Sequence, residues 1–200
     1  MIVNKNINTM KIILASNSPR RKELLGGLGV DFEVKVLNGV DESYPDTLPA
    51  KDVAEYIATE KAAAYTVQED ELLITADTVV IVGQDILGKP KDAADACRML
   101  RELSGKTHQV VTGVCLTTSK EQRRFSVTTD VTFKQLSDAE IEHYVDKYKP
   151  FDKAGAYGIQ EWIGYIGVTA LNGSYYNVMG FPVQRVYEEL TTHFKLNFTE

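Results

Sequence analysis

The stretch Ile12-Ile13-Leu14-Ala15-Ser16-Asn17-Ser18-Pro19-Arg20-Arg21-Lys22-Glu23-Leu24-Leu25-Gly26-Gly27-Leu28 decides how the chain is read. Ile12 to Ala15 is a short apolar run, the pattern of a buried strand. Ser16, Asn17 and Ser18 make a polar turn. Ser18 is suited to cap a helix and Pro19 to occupy its first turn. Leu24, Leu25 and Leu28 supply an apolar face, and the glycines at 26, 27 and 29 end it. The stretch therefore predicts strand, tight turn, helix.

Its charges run against that helix. Arg20, Arg21 and Lys22 fall in the first turn, where the helix dipole is already positive. Each exposed cation there is disfavoured by roughly 0.3–1 kcal/mol. A local rule broken without visible compensation marks a candidate functional site. Backbone N–H groups, the Ser16 and Ser18 hydroxyls and two guanidiniums converge where the strand ends, which suits a polyphosphate. A solvated basic turn is the alternative.

Elsewhere the chain is acidic: 22 Lys and Arg against 28 Asp and Glu give a net charge of −6, which argues against a general nucleic-acid partner. Its 200 residues fit one large domain or two small lobes. No apolar stretch approaches the ~20 residues that span a bilayer, so no membrane partner is expected. Cys97 and Cys115 read as reduced buried thiols in a cytoplasmic protein. Two cysteines and the scattered His108, His143 and His193 make no structural zinc site. Residues 1–9 lack the apolar core of a signal peptide and read as a disordered extension or an upstream start before Met10.

Phe32 to Val36 reads as a strand and Leu37 to Leu48 as a loop carrying Asp41 and Glu42. A helix is expected from Pro49 to about Glu69, with Lys61 on the same face as Ile57; a snorkelling lysine is the bland reading there. Leu72 to Val82 is an apolar strand interrupted by Asp77 and Thr78. Asp92 caps a helix closed by Gly105. Thr107 to Thr118 and Arg123 to Gln135 are strands. Ser137 and Glu140 form a capping box for a helix stopped by Pro150. Phe151 to Glu161 is a loop. Ile163 to Ala170 and Tyr175 to Met179 are expected to pair as a hairpin about Asn172-Gly173, and Pro182 starts the last helix. Mixed βα units and hairpins predict an α/β fold on a mixed sheet.

Two phosphate-loop look-alikes fail. Gly83 to Lys89 is followed by Pro90 where a Ser or Thr would hold magnesium, and Gly105-Lys106-Thr107 lacks the first glycine. Asp77 is the sharper signal. A carboxylate inside a buried strand needs a cation, a metal or hydrogen bonds. It either caps a neighbouring turn or serves as a metal-linked base at a strand end. Glu42 is a candidate second carboxylate for the same cation, and Lys61 and Lys89 are candidates to reach phosphate oxygens.

Six segments in order resemble the Maf family of nucleoside triphosphate pyrophosphatases: Leu14 to Arg21, Glu60-Lys61-Ala62, Ala76-Asp77-Thr78-Val79, Gly88-Lys89-Pro90, Leu103 to Gly113 and Asp152 to Gln160. The resemblance runs from about Lys11 to Leu190. It implies a single domain with an elongated mixed sheet, flanking helices and two lobes around a cleft, as in inosine triphosphatases. It implies hydrolysis between the α and β phosphates with a divalent cation, magnesium or manganese. By position, Asp77 matches the family's catalytic proton acceptor. Ser16, Arg21, Glu42, Lys61 and Lys89 match substrate or metal contacts, with Glu42 and Asp77 at the metal. Arg20, Thr78 and Gln160 match the specificity positions of the subgroup acting on dTTP and UTP. Modified pyrimidine nucleotides are further candidate substrates. A non-catalytic nucleotide sensor regulating cell division and a phosphatase releasing inorganic phosphate stay open as alternatives, as does the oligomeric state, with a homodimer as one candidate.

Overall fold

The opening strand Lys11–Leu14 (β1) is buried along Ile12, Ile13 and Leu14 and seeds the sheet of the computed structural model, which describes residues 10–198. The extension expected over residues 1–9 lies outside the described residues. Ser18 caps the helix Pro19–Gly26 (α1), its side chain accepting from the Arg21 N–H, with Pro19 in the first turn as expected. Phe32–Val34 (β2) and Glu71–Val82 (β3) flank β1, both parallel to it. Asp85–Leu87 (β4) folds back antiparallel on the far end of β3. Thr107–Thr117 (β5), Gln122–Phe133 (β6) and Val168–Asn172 (β7) continue the sheet antiparallel. The seven strands run β2-β1-β3-β5-β6-β7, with β4 beside β3. This is the mixed α/β sheet that the sequence predicts.

Alternation along β3 assigns the helices to faces. Leu73, Val79 and Ile81 point to the helix Ala50–Ala63 (α2) with Val53, Ala54, Ile57 and Ala58. Leu72, Ile74 and Ala76 point the other way, to Leu25, Phe181, Val186 and Leu190. Further along the same face, Val80 and Val82 enter a second cluster with Met99, Leu100 and Leu103 of the helix Ala93–Leu103 (α3) and Ile141 and Tyr144 of the helix Asp138–Tyr148 (α4). Two apolar clusters at opposite ends of one sheet face are the physical content of two lobes. The caps of α3 and α4 are those read from sequence: Asp92 accepts from the Asp95 N–H, and Ser137 and Glu140 form the reciprocal box.

Two expectations are corrected. α2 ends at Ala63, short of Glu69. The Tyr65 hydroxyl just beyond it accepts from the Leu37 N–H and donates to the Lys35 carbonyl, which recruits this segment to the β2 side. The hairpin about Asn172-Gly173 does not form. Trp162–Gly167 is helical (α5), β7 pairs with β6, and Ser174 caps a short helix Tyr175–Val178 (α6) by accepting from the Asn177 N–H. Gly173 has φ +128° and lies against Thr129, so it serves a close approach rather than a two-residue turn. The last helix, Val183–Glu188 (α7), widens into a π turn over Glu189–His193. There Glu189, nearly buried, accepts from Arg123 and Arg185.

Candidate active site

One edge of β3 has a gap. Its N-terminal half pairs with β1 as far as Ile74, opposite Leu14, and its C-terminal half pairs with β4 from Val80. On that edge, residues 75–79 face neither strand. A sheet edge left open where a parallel strand ends is where α/β proteins place ligands. Asp77 and Thr78 sit at the middle of the gap, both half-buried within an otherwise buried strand. A cleft of about 420 Å³ opens there, lined by the Ser16–Arg21 turn, Glu42, Lys61, Lys89 and, from the other lobe, Lys153, Tyr157 and Gln160.

Asp77 points to the α2 face, and Gly113 stands opposite it on β5. A Cβ at Gly113 would lie 2.2 Å from the Glu55 backbone nitrogen. The missing side chain lets α2 rest directly on the sheet, which brings Lys61, in its last turn, over the Asp77 carboxylate. Lys61 Nζ is 2.7 Å from Asp77 Oδ1 and 2.9 Å from Glu42 Oε1. Glu42, expected beside Asp77, and Lys61, expected at phosphate oxygens, are thus brought together with Asp77 from a loop, a helix and a strand. Partial burial pushes the Glu42 carboxyl up, but the Lys61 hydrogen bond and charge, with Lys89 and Arg21 beyond, outweigh it and hold the group below its usual range. Lys61 therefore pairs its ammonium with a carboxylate instead of snorkelling to solvent. Lys89 lies exposed at the rim and makes no ion pair among the described residues.

The arginines resolve the charge conflict of α1 in a way the sequence did not disclose. Arg21 Nε donates to the Gly180 carbonyl at 2.8 Å and Nη1 to the Ala76 carbonyl at 3.0 Å. Nη1 also reaches Ser16 Oγ at 3.4 Å, and Nη2 donates to Thr78 Oγ1 at 3.1 Å. The β3 carbonyls at 74 and 76 point to the same edge; Ile74 gives its own to the Ala15 N–H of the β1 side. The next has no strand to meet, and Arg21 satisfies it. Burial lowers the tendency of Arg21 to hold its proton, and Asp77 works in the opposite direction. Arg20 Nε donates to the Met179 carbonyl and its Nη1 to Asp152 Oδ2, each at 3.2 Å, which joins α1 to the opposite lobe. The compensation missing from the sequence is in part a set of protein carbonyls.

Thr78 also receives a definite orientation. Thr112 Oγ1 donates to the Asn177 carbonyl at 3.2 Å, so between Thr78 and Thr112, 2.9 Å apart, Thr78 is the donor. Its hydroxyl accepts from Arg21 and donates to Thr112, leaving one lone pair.

On the other lobe, Lys153 Nζ binds Asp152 at 2.8 Å and Glu161 at 3.2 Å. Glu161 accepts from the Tyr144 hydroxyl, which in turn accepts from the Gly158 N–H at 3.0 Å. This chain fixes the loop that presents Gln160. The Gln160 Oε1 is buried and has no partner among the described residues.

Sequence reasoning missed Asp152, Lys153 and Tyr157 as cleft residues, although they lie inside a quoted motif. Met179 and Gly180 contribute backbone carbonyls, which residue type cannot signal.

The sheet-edge cleft of this α/β protein gathers arginines, lysines and carboxylates at the open edge of β3. A family model described as "Maf-like protein" matches residues 11–193, and the chain belongs to that family. A dTTP/UTP pyrophosphatase of Phocaeicola vulgatus is 63% identical over 188 residues, 93% of this chain and 97% of that protein. One of Parabacteroides distasonis is 56% identical, with 93% and 97% covered. One of Flavobacterium psychrophilum is 48% identical, with 96% and 99% covered. Among solved structures, a nucleoside-triphosphatase, dITP/XTP pyrophosphatase, of Mycobacterium abscessus matches with a TM-score of 0.43 and 18% identity, covering 93% of this chain and 97% of that one. Among the described residues no helix is long and apolar enough to cross a membrane.

Proposed function

We propose that this chain hydrolyses dTTP and UTP to the monophosphate and pyrophosphate. The observation that carries the reading is the Lys61 ammonium held between the Asp77 and Glu42 carboxylates on the floor of a cleft rimmed by Arg20 and Lys89. The relatives' names supply the substrate class.

The donor set suits a hard divalent ion. No group of three or more His, Cys, Asp or Glu that could hold a metal occurs among the described residues. Two carboxylates remain, which is what magnesium uses when phosphates and water complete its shell. Glu42 and Asp77 would hold it, and when bound it supplies charge neutralisation at the reacting phosphorus. Asp77 orients or deprotonates the attacking water, a contribution typically worth about 10²–10⁴-fold. Lys61, Lys89 and Arg20 bind the phosphate oxygens. Arg21, whose donors are largely engaged, shapes the turn that receives them.

Gln160 faces the base. Its buried carbonyl oxygen has no partner among the described residues and accepts from a donor on the substrate. The ring N–H of thymine or uracil is such a donor, and adenine and cytosine have none at that ring position.

A nucleotide panel assayed separately for pyrophosphate and phosphate tests the reading. Pyrophosphate release from dTTP and UTP is expected, with a divalent cation required. Asp77→Asn should bind nucleotide but turn over at least about a hundredfold more slowly. Gln160→Ala should lower the rate ratio of dTTP to dATP more than it changes metal dependence. Near-normal hydrolysis by folded Asp77→Asn would reject the role of Asp77, and phosphate as the released product would reject the bond assignment.

A further inference from the structure

Lys61 stands where a metal would. Its ammonium bonds one oxygen of each of the two carboxylates proposed to hold the divalent ion. It sits on a helix packed against the sheet at Gly113, and its side chain is 15% exposed. Asp77 is similarly enclosed, and Glu42 rides on a loop without regular structure. The local balance of the trio is one positive charge against two negative.

A divalent ion entering this trio alone would meet three obstacles. It would share its ligands with an ammonium that repels it. It could not push Lys61 into water without breaking two short ion pairs that helix packing has arranged. It would also take from the lysine both of the carboxylates that the ammonium pairs with among the described residues. A metal–nucleotide complex removes all three, because its phosphate oxygens offer Lys61 a replacement partner as the metal takes the carboxylates.

We propose that Lys61 is a place-holding cation. It keeps Glu42 and Asp77 paired through one ammonium while the cleft is empty, and it moves to a phosphate oxygen when substrate arrives. Metal therefore enters with the nucleotide rather than before it. The inference rests on Glu42 and Asp77 being the metal-holding pair. Its consequence is a free enzyme with little affinity for the metal alone and a reaction order fixed by one lysine.

The test is binding of Mn²⁺ to the full chain, followed by the electron-spin resonance signal of the free ion, without nucleotide and with a non-hydrolysable dTTP analogue. Lys61→Met keeps the length of the side chain and removes its charge. Without nucleotide, this variant should bind Mn²⁺ at least about tenfold more tightly than the wild type, as expected for relief of a like charge at a shared site. Adding Glu42→Gln to Lys61→Met should cancel the gain. Lys61→Arg keeps the charge and should bind free Mn²⁺ as weakly as the wild type.

Equal or weaker Mn²⁺ binding by folded Lys61→Met overturns the proposal. If that variant does not fold, the wild type still decides: Mn²⁺ affinity that fails to rise with the analogue overturns it. The two readings fail differently. If Glu42→Gln in the wild-type background weakens Mn²⁺ binding with the analogue present, the carboxylate pair stands even where the lysine proposal has fallen. If Glu42→Gln changes nothing there, the pair itself is wrong and the proposal falls with it.

Discussion

Arg21 shows how one residue's meaning changes between sequence and structure. From sequence alone it is a cation in the wrong turn of a helix, and removing it should leave the empty protein as stable or slightly more so. In the structure its guanidinium joins α1, the end of β1, the open edge of β3 and the Gly180 loop through four hydrogen bonds. The dipole repulsion is worth roughly 0.3–1 kcal/mol when solvated, whereas hydrogen bonds from a charged donor are worth about 1.5–3 kcal/mol each. The second term wins. Arg21→Gln should therefore destabilise the nucleotide-free protein by about 3 kcal/mol, since a glutamine can replace at most part of the fork. A thermal melt without ligand should show a midpoint lower by roughly 6–12 °C for a chain of this size. An unchanged midpoint would return Arg21 to the role of a free phosphate ligand.

At the scale of elements, the site depends on how closely α2 approaches the sheet, and that approach is set by Gly113. The sequence placed Lys61 on the inner face of α2 and Asp77 inside a strand, and both placements stand. It could not show that the two meet, because the meeting depends on a strand register, Asp77 opposite Gly113, and on a helix–sheet contact between residues far apart in the chain. The failed hairpin has a related cause. Asn-Gly is a local turn signal, but Ser174 caps a helix there and β6 competes for β7, so tertiary pairing overrides the local preference. Gly113→Ala tests the approach. The added Cβ would lie within 2.2–2.4 Å of α2 backbone atoms, so the helix must lift. Overpacking of this kind costs on the order of 3 kcal/mol. The variant should also lose hydrolysis beyond what its folded fraction explains, because Lys61 and Asp77 are drawn apart. Denaturant melts paired with rate measurements on the folded fraction separate the two effects, and full activity per folded molecule would show that Lys61 is not held by helix packing.

Across the whole molecule, stability and site are joined through His108. It lies in β5, buried between the Phe133 and Tyr157 rings, with Nε2 and the Tyr157 hydroxyl 2.6 Å apart. Tyr157 belongs to the loop that carries Gly158 and Gln160, so this contact fastens one wall of the cleft to the central sheet. The sequence showed only a scattered histidine, since burial and partner both come from the β5–β6 pairing and the packing of a distant loop. Burial disfavours the charged ring and lowers its pKa from 6.5 to about 4. Because the folded value lies below the unfolded one, the unfolded chain binds the extra proton first. Stability from this residue is full above about pH 6.5 and is lost progressively as the pH falls toward 4. Between pH 7.5 and pH 5 the loss should be about 2 kcal/mol, by proton linkage on that shift. His108→Gln has no proton to take up in this range. It will be less stable than the wild type at pH 7.5, having lost the ring packing, but its stability should fall less between the two pH values, by that same amount. Urea unfolding of both proteins at pH 7.5 and pH 5 measures the difference of differences, in which the carboxylates common to both chains cancel. Equal losses on acidification would mean that the buried ring takes up its proton in the folded state as readily as in the unfolded one, and that the Tyr157 wall holds without a neutral histidine behind it.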